Sequence, residues 1–118
     1  MKKFLKGFSF AFAGIWYALR TQLNMKFHLL ATVAVIGAGL LLKIEKIDWF
    51  FVGLCVTLVW TAELFNTALE TLTDLVAKEI HPLAKVAKDV GAGAVLICSL
   101  FALITGILVL GKYIIALI

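Results

Sequence analysis

Residues 49–77 read WFFVGLCVTLVWTAELFNTALETLTDLVA, and they form the longest segment with a helical pattern in the chain. Its first half, Trp49 to Ala62, carries no charge. Its second half carries a polar row at spacings of three, four and four. The row consists of Glu63, Asn66, Glu70 and Asp74. A helix rises about 1.5 Å per residue, so this one is longer than the roughly 30 Å hydrocarbon core of a bilayer. The stretch therefore predicts a membrane span whose second half leaves the hydrocarbon.

The composition of the chain favours the same environment. Of its 118 residues, 64% are hydrophobic and 15% are charged, whereas soluble domains average about 45–50% apolar and about 25% charged residues. A water-soluble fold of this size has too much surface to hide such an apolar content. The chain is also too short for the roughly eight strands of a transmembrane barrel. We predict an all-α integral membrane protein, with residues 1–118 forming a single domain.

The first helix, predicted over residues 3–22, is amphipathic. Its apolar stripe at helical spacing consists of Phe4, Phe8, Phe12, Ile15 and Leu19. The opposite face carries Lys2, Lys6 and Arg20. A basic amphipathic helix of this kind lies on an anionic membrane surface. The alternative is a packed core helix, and the two interpretations can hold together.

Two further spans are predicted, over residues 27–42 and 90–110. A polar turn at 43–48 precedes the central span, and a basic connection at 78–89, in which Pro82 breaks the helix, follows it. Residues 1–28 contain five basic residues and no acid, which indicates a cytoplasmic N-terminus and a C-terminus outside. No soluble domain is available to present this basic segment, so no nucleic-acid partner is expected.

The polar row is the candidate for chemistry. On a helix its four members fall within an arc of about 80°. Three carboxylates on one face repel each other, and each is costly to desolvate at membrane depth. A divalent cation would offset that cost, and Mg²⁺ binds through one or two carboxylates together with substrate phosphates. A helix that merely emerges into water explains Asp74 well and Glu63 poorly. A proton or ion pathway is the second functional alternative.

Two other patterns concern phosphate. Lys88 and Asp89 stand where the third span is predicted to begin, and a helix start with a lysine suits an anion. Gly106 to Lys112 has the spacing Gly-x-x-x-x-Gly-Lys, but a P-loop requires Ser or Thr next, and Tyr113 stands there. We interpret the second pattern as chance.

The polar row, followed eighteen residues after Glu70 by Lys88 and Asp89, resembles the motif of the prokaryotic diacylglycerol kinase family, which includes undecaprenol kinases. The resemblance covers essentially the whole chain. The stretches Asn24-Met25-Lys26-Phe27-His28 and His81-Pro82-Leu83-Ala84-Lys85 look more like the undecaprenol kinase branch.

This resemblance implies a homotrimeric kinase of the bacterial plasma membrane with composite active sites near the cytoplasmic surface. The enzyme would transfer the γ-phosphoryl group of MgATP to the hydroxyl of undecaprenol or diacylglycerol. By residue-to-residue match, Glu63 is the general base, Asn66 orders the site and Glu70 ligates the metal. The positions that match the nucleotide site are Asp74, His81, Lys88 and Asp89.

One position departs from the family pattern. A glutamate that acts as a second metal ligand is expected six residues before His28, and Gln22 stands there. Its amide oxygen can ligate Mg²⁺ but brings no charge, which leaves the metal affinity open. Gln22 favours one alternative to a lipid kinase, an inactive scaffold of the same fold. The other alternative is a small transport or proton-conducting subunit, against which Lys88 and Asp89 argue, because a proton path has no use for a phosphate clamp.

Overall fold

The computed structural model describes all 118 residues and consists of helices joined by short connections. Only 14 of the 118 residues are buried, so most apolar side chains face outward. Three of the helices, α2, α3 and α4, are long and apolar enough to cross a membrane, which confirms the predicted all-α, multi-pass membrane architecture. The helices are α1 (Lys2–Thr21), α2 (Leu23–Leu42), α3 (Lys46–Val76) and α4 (Pro82–Leu117).

The break between α1 and α2 is a single residue. Gln22 has an extended backbone with φ −102° and ψ 119°, while its N–H still donates to the Ala18 carbonyl at 2.9 Å. Ala18 and Met25 are fully buried on either side of this break. The aromatic stripe of α1 remains exposed, with Phe4 at 66% and Phe8 at 53%. In this chain α1 is therefore held at its C-terminal end and leaves its apolar face uncovered.

The turn between α2 and α3 is closed by a left-handed residue and a tryptophan. Lys43 ends α2 with φ 53° and ψ 51°, and its N–H donates to the Gly39 carbonyl. Gly39 is also where the Trp49 ring packs, because a Cβ atom there would lie 2.7 Å from the ring. The predicted polar turn is correct in position, and α3 begins within it, at Lys46.

Pro82 begins α4, so the chain does break between α3 and α4, but the connection covers residues 77–81 and the predicted connection at 78–89 extends too far. His81 is the N-cap, and its Nδ1 accepts a hydrogen bond from the Leu83 N–H at 3.1 Å. Proline suits the first helical position because its missing N–H would have no partner there. Lys88 and Asp89 consequently lie in the second turn of α4, away from its free N-terminal amides.

α3 packs most extensively against α4, and a polar network joins the first turn of α3 to the last turns of α4. Asp48 is only 4% exposed, and it accepts hydrogen bonds from the Tyr113 hydroxyl and from Lys112 Nζ, which lies 2.9 Å from Oδ2. The Tyr113 oxygen in turn accepts from the Glu45 N–H at 2.9 Å. Lys112 and Tyr113 thus have a structural use, in keeping with the interpretation of the P-loop spacing as chance.

We expect Tyr113→Phe to destabilise the protein. The change removes one donor to the buried Asp48 carboxylate and one acceptor for the Glu45 N–H. A buried polar group left without a partner costs about 1–3 kcal/mol. Thermal unfolding of the purified protein in detergent measures the loss. The matched control is Tyr17→Phe, since Tyr17 is 42% exposed. Equal unfolding midpoints for the two variants would contradict the assignment.

Candidate active site

The polar row lies on one face of α3 and passes from buried to exposed along the helix. Glu63 is 1% exposed and Asn66 is 5% exposed, whereas Glu70 is half-buried and Asp74 is exposed. The geometry excludes a simple solvated face for the first two residues, because protein surrounds them. The row therefore leads from an enclosed position at Glu63 to an exposed position at Asp74.

Asn66 connects the row to α4. Its Nδ2 donates to Glu70 Oε1 at 3.3 Å, and its Oδ1 is buried without a hydrogen-bond partner. That oxygen rests against Gly91 of α4, where a Cβ atom would lie only 2.3 Å away. Glycine is thus needed at position 91 for the close approach of Asn66. The amide is therefore held between Glu70 and Gly91, with its oxygen buried.

Lys88 of α4 forms an ion pair with the exposed end of the row. Its Nζ lies 2.6 Å from Asp74 Oδ1, and its charge also acts on Glu70. Asp89, the next residue, instead accepts from Lys85 at 2.6 Å in an exposed pair one turn apart on the same helix. The two residues of the Lys-Asp motif therefore serve different partners in this structure.

The remaining predicted site residues lie apart from this group. His81 is exposed, and its Nδ1 is used in capping α4. Gln22 stands between α1 and α2, where its Nε2 donates to Thr21 Oγ1 at 3.4 Å. No three His, Cys, Asp or Glu side chains are grouped as a metal-binding cluster. Among the predicted site residues, the structure pairs Asn66 with Glu70 and Asp74 with Lys88, and Glu63 lies one turn before Asn66 on α3. The other three, Gln22, His81 and Asp89, make their hydrogen bonds elsewhere.

His28 of α2 is a member of the site that the sequence analysis did not assign. Its Nε2 lies 3.6 Å from Glu63 Oε2, and the two side chains are 15% and 2% exposed. The signal was present in the sequence, because His28 is the only ionisable residue between Phe27 and Leu42. Such a residue within a predicted span is a candidate for function.

An apolar cleft of about 680 Å³ opens between α2, α3 and α4 and has His28 in its lining. Its walls extend along α4 from Ser99 to Ile114, which corresponds to about 22 Å of helix. His28 is the only ionisable basic side chain in the lining. The buried pair of His28 and Glu63 therefore adjoins a long hydrocarbon-like space.

The chain is thus a multi-pass membrane protein with a polar row that is buried at one end and exposed at the other. Residues 9–110 match the model of the family described as prokaryotic diacylglycerol kinase, and the chain belongs to that family. It is 39% identical to an undecaprenol kinase of Bacillus subtilis over 92% of this chain and 89% of the relative.

Two further relatives are diacylglycerol kinases. The one from Synechocystis is 47% identical over 86% of this chain and 59% of its own, longer sequence. The one from Escherichia coli K12 is 27% identical over 94% of this chain and 91% of its own. The protein is accordingly a lipid kinase of the membrane, and the family match favours this prediction over a transport subunit.

We expect Gly91→Ala to reduce kinase activity by at least about tenfold, because the new Cβ displaces Asn66 Oδ1. The matched control is Gly93→Ala, two residues further along α4, where a Cβ atom would meet nothing within 4 Å. Lipid phosphorylation rates measure both variants.

A double-mutant cycle then shows whether Gly91 acts through Asn66. In an Asn66→Ala background the clash is absent, so Gly91→Ala should cost little further activity. Additive losses in the two backgrounds would show that Gly91 matters for another reason.

Proposed function

We propose that this kinase transfers the γ-phosphoryl group of MgATP to the hydroxyl of a membrane lipid alcohol, undecaprenol or diacylglycerol, along the polar face of α3. The observation that carries the proposal is the gradient of burial from Glu63 to Asp74. A lipid alcohol arrives from the hydrocarbon and a nucleotide from water, so a site for both has to join the two phases. The polar row does so on a single helix.

Glu63 is the proposed general base. It is enclosed by protein and adjoins the apolar cleft through His28, so a hydroxyl carried on an apolar chain has a route to it. A general base acts within hydrogen-bond reach of the proton that it removes. Asn66 orders the site, since its Nδ2 donates a hydrogen bond to Glu70 Oε1.

Glu70 is the proposed Mg²⁺ ligand. One of its oxygens accepts from Asn66, and the other makes no hydrogen bond to the protein. A half-buried carboxylate with one free oxygen suits Mg²⁺, which takes one or two carboxylates and keeps phosphates and waters as its other ligands. When bound, the ion neutralises charge on the nucleotide phosphates. Gln22 is proposed as a second, uncharged ligand.

The nucleotide is proposed to bind where α3 and α4 meet. Lys88 is the cation nearest the exposed end of the polar row, and its ammonium suits the phosphates. Asp74, His81 and Asp89 complete the proposed nucleotide site. Their exposed positions leave them accessible to a ligand from water.

The proposed assembly is a homotrimer in the bacterial plasma membrane, with the N-terminus and active site on the cytoplasmic side. The exposed aromatic stripe supports α1 as a helix on the membrane surface, and the basic N-terminal segment supports the orientation. Residues 1–118 are proposed as one domain. A C-terminal reporter active only in the cytoplasm would contradict the orientation, and a fully active monomer would contradict the trimer.

The decisive test of the function supplies the purified protein in detergent with MgATP and each lipid alcohol in turn. We expect a phosphorylated product from at least one of the two lipids, and no product when ATP is omitted. The preferred lipid identifies the substrate. Absence of product with both lipids, from a folded protein, would refute the proposed function.

We expect substitution of Glu63 and of Glu70 to impair different steps of the reaction. Glu63→Gln should abolish turnover and leave MgATP binding nearly intact, because a base acts in the chemical step. Glu70→Gln should raise the Mg²⁺ requirement, because a lost ligand weakens the metal at the phosphates. Seven residues place these carboxylates about 10 Å apart along the helix, too far to share one ion without a bend. Nucleotide binding and initial rates against Mg²⁺ concentration measure both effects.

The change Gln22→Glu provides the opposite test. It adds a carboxylate at the proposed second ligand position, so the Mg²⁺ requirement should fall. If Glu63→Gln lost MgATP binding as completely as Glu70→Gln, the acids would form one metal cluster and the proposed division of roles would be wrong.

A further inference from the structure

The contact between His28 and Glu63 has a chemical use beyond packing. We propose that His28 holds the Glu63 carboxylate in position and takes the proton from it after each phosphoryl transfer. The inference rests on the proposed function, in which Glu63 receives the proton of the lipid hydroxyl. It assigns to α2 a positioning residue that acts through Glu63.

The surroundings of Glu63 leave few other proton acceptors. Its Oε2 is buried without a hydrogen-bond partner, and the nearest basic atom is His28 Nε2 at 3.6 Å. On the same helix, the next acid is Glu70, about 10 Å further along the axis. On α4, the ammonium of Lys88 is paired with Asp74. A proton on Glu63 therefore leaves most directly through His28.

His28 is well placed to pass a proton onward. The cleft beside it carries no acidic side chain, and its other polar lining comes from groups such as Thr32, Cys55 and Ser99. The side chain of His28 is 15% exposed, so its ring is more open than the carboxyl of Glu63. A proton received at Nε2 can be released to water from Nδ1, because both ring nitrogens of an imidazolium carry a proton.

The backbone of α2 is fastened to α3 next to this contact. Thr32 Oγ1 donates to the His28 carbonyl at 2.7 Å and accepts from Trp60 Nε1 at 2.9 Å. The separation of 3.6 Å between Nε2 and Oε2 exceeds a hydrogen bond by several tenths of an ångström. A small side-chain rotation closes it, as is common for catalytic contacts that tighten when substrate binds.

The lipid O–H bond breaks while its oxygen bonds to phosphorus, the bond from phosphorus to ADP breaks, and the proton passes to Glu63. The Glu63 O–H then gives this proton to His28 Nε2, which restores the carboxylate and produces an imidazolium. The imidazolium loses the proton to water before the next cycle. No electron is transferred, and the products are ADP, the lipid phosphate and one proton.

The test uses the full chain in detergent with the glycine variant His28→Gly and added small bases. We expect kcat to fall by at least about tenfold, within the range for lost proton transfer, while KM for MgATP stays within about twofold. Imidazole should restore turnover, and substituted imidazoles should do so in order of basicity. Pyrrole, a ring of the same size without a basic nitrogen, should not.

Two further variants separate chemistry from folding. Leu30→Gly places glycine in the same helix at a position where the native side chain is 68% exposed. This variant should keep its activity, and added imidazole should not change its rate. His28→Gln retains an N–H donor towards Glu63 but cannot carry a proton. This variant should therefore fold, show a reduced kcat, and gain no activity from added imidazole.

Each outcome decides the proposal. Full activity of His28→Gly or His28→Gln would overturn it, and so would equal rescue by pyrrole and imidazole. In those cases lipid phosphorylation by the native protein and its loss in Glu63→Gln would still stand, so the proposed function would survive. A native protein without lipid kinase activity would overturn both.

Discussion

Burial of the Glu63 carboxyl is the constraint on which the rest of the site depends. An acid at membrane depth is costly unless it faces protein and has a polar partner. In this small bundle the partner is His28 on α2, and one turn further along α3 the side chain of Asn66 packs against Gly91 of α4. The contacts of α3 with α2 and with α4 therefore lie within about one helical turn of this buried acid.

The register between α3 and α4 is held at both ends by charged side chains. Asp48 meets Lys112 at one end, and Asp74 meets Lys88 at the other. The two segments between these pairs span 26 residues on α3 and 24 on α4, so they differ by only about 3 Å in length. Two nearly equal antiparallel helices fixed in this way resist sliding, and Asn66 can reach Gly91 only at one register. A network far from the polar row thus contributes to its geometry.

The features that depend on local periodicity could be predicted from the sequence. The polar row was found because spacings of three and four place residues on one helical face, and the apolar runs gave the three spans. The connection before α4 was predicted to be too long, because Pro82 is compatible with both a break and a first helical position. His28 and the network of Asp48 and Tyr113 were missed for another reason. Their partners are 35 and 65 residues away, and only packing of the helices brings them together.

The pairing of Lys88 with Asp74 has a consequence for ligand selection. An anion that approaches Lys88 has to replace a carboxylate already 2.6 Å from its ammonium, in a pair that water reaches on both sides. A singly charged anion gains nothing over Asp74 in this exchange. A chain of phosphates offers several charges to the same cation and to its neighbours, so it displaces the carboxylate more readily. A phosphate chain bound at Lys88, as proposed for the nucleotide, would therefore have to displace the carboxylate of Asp74.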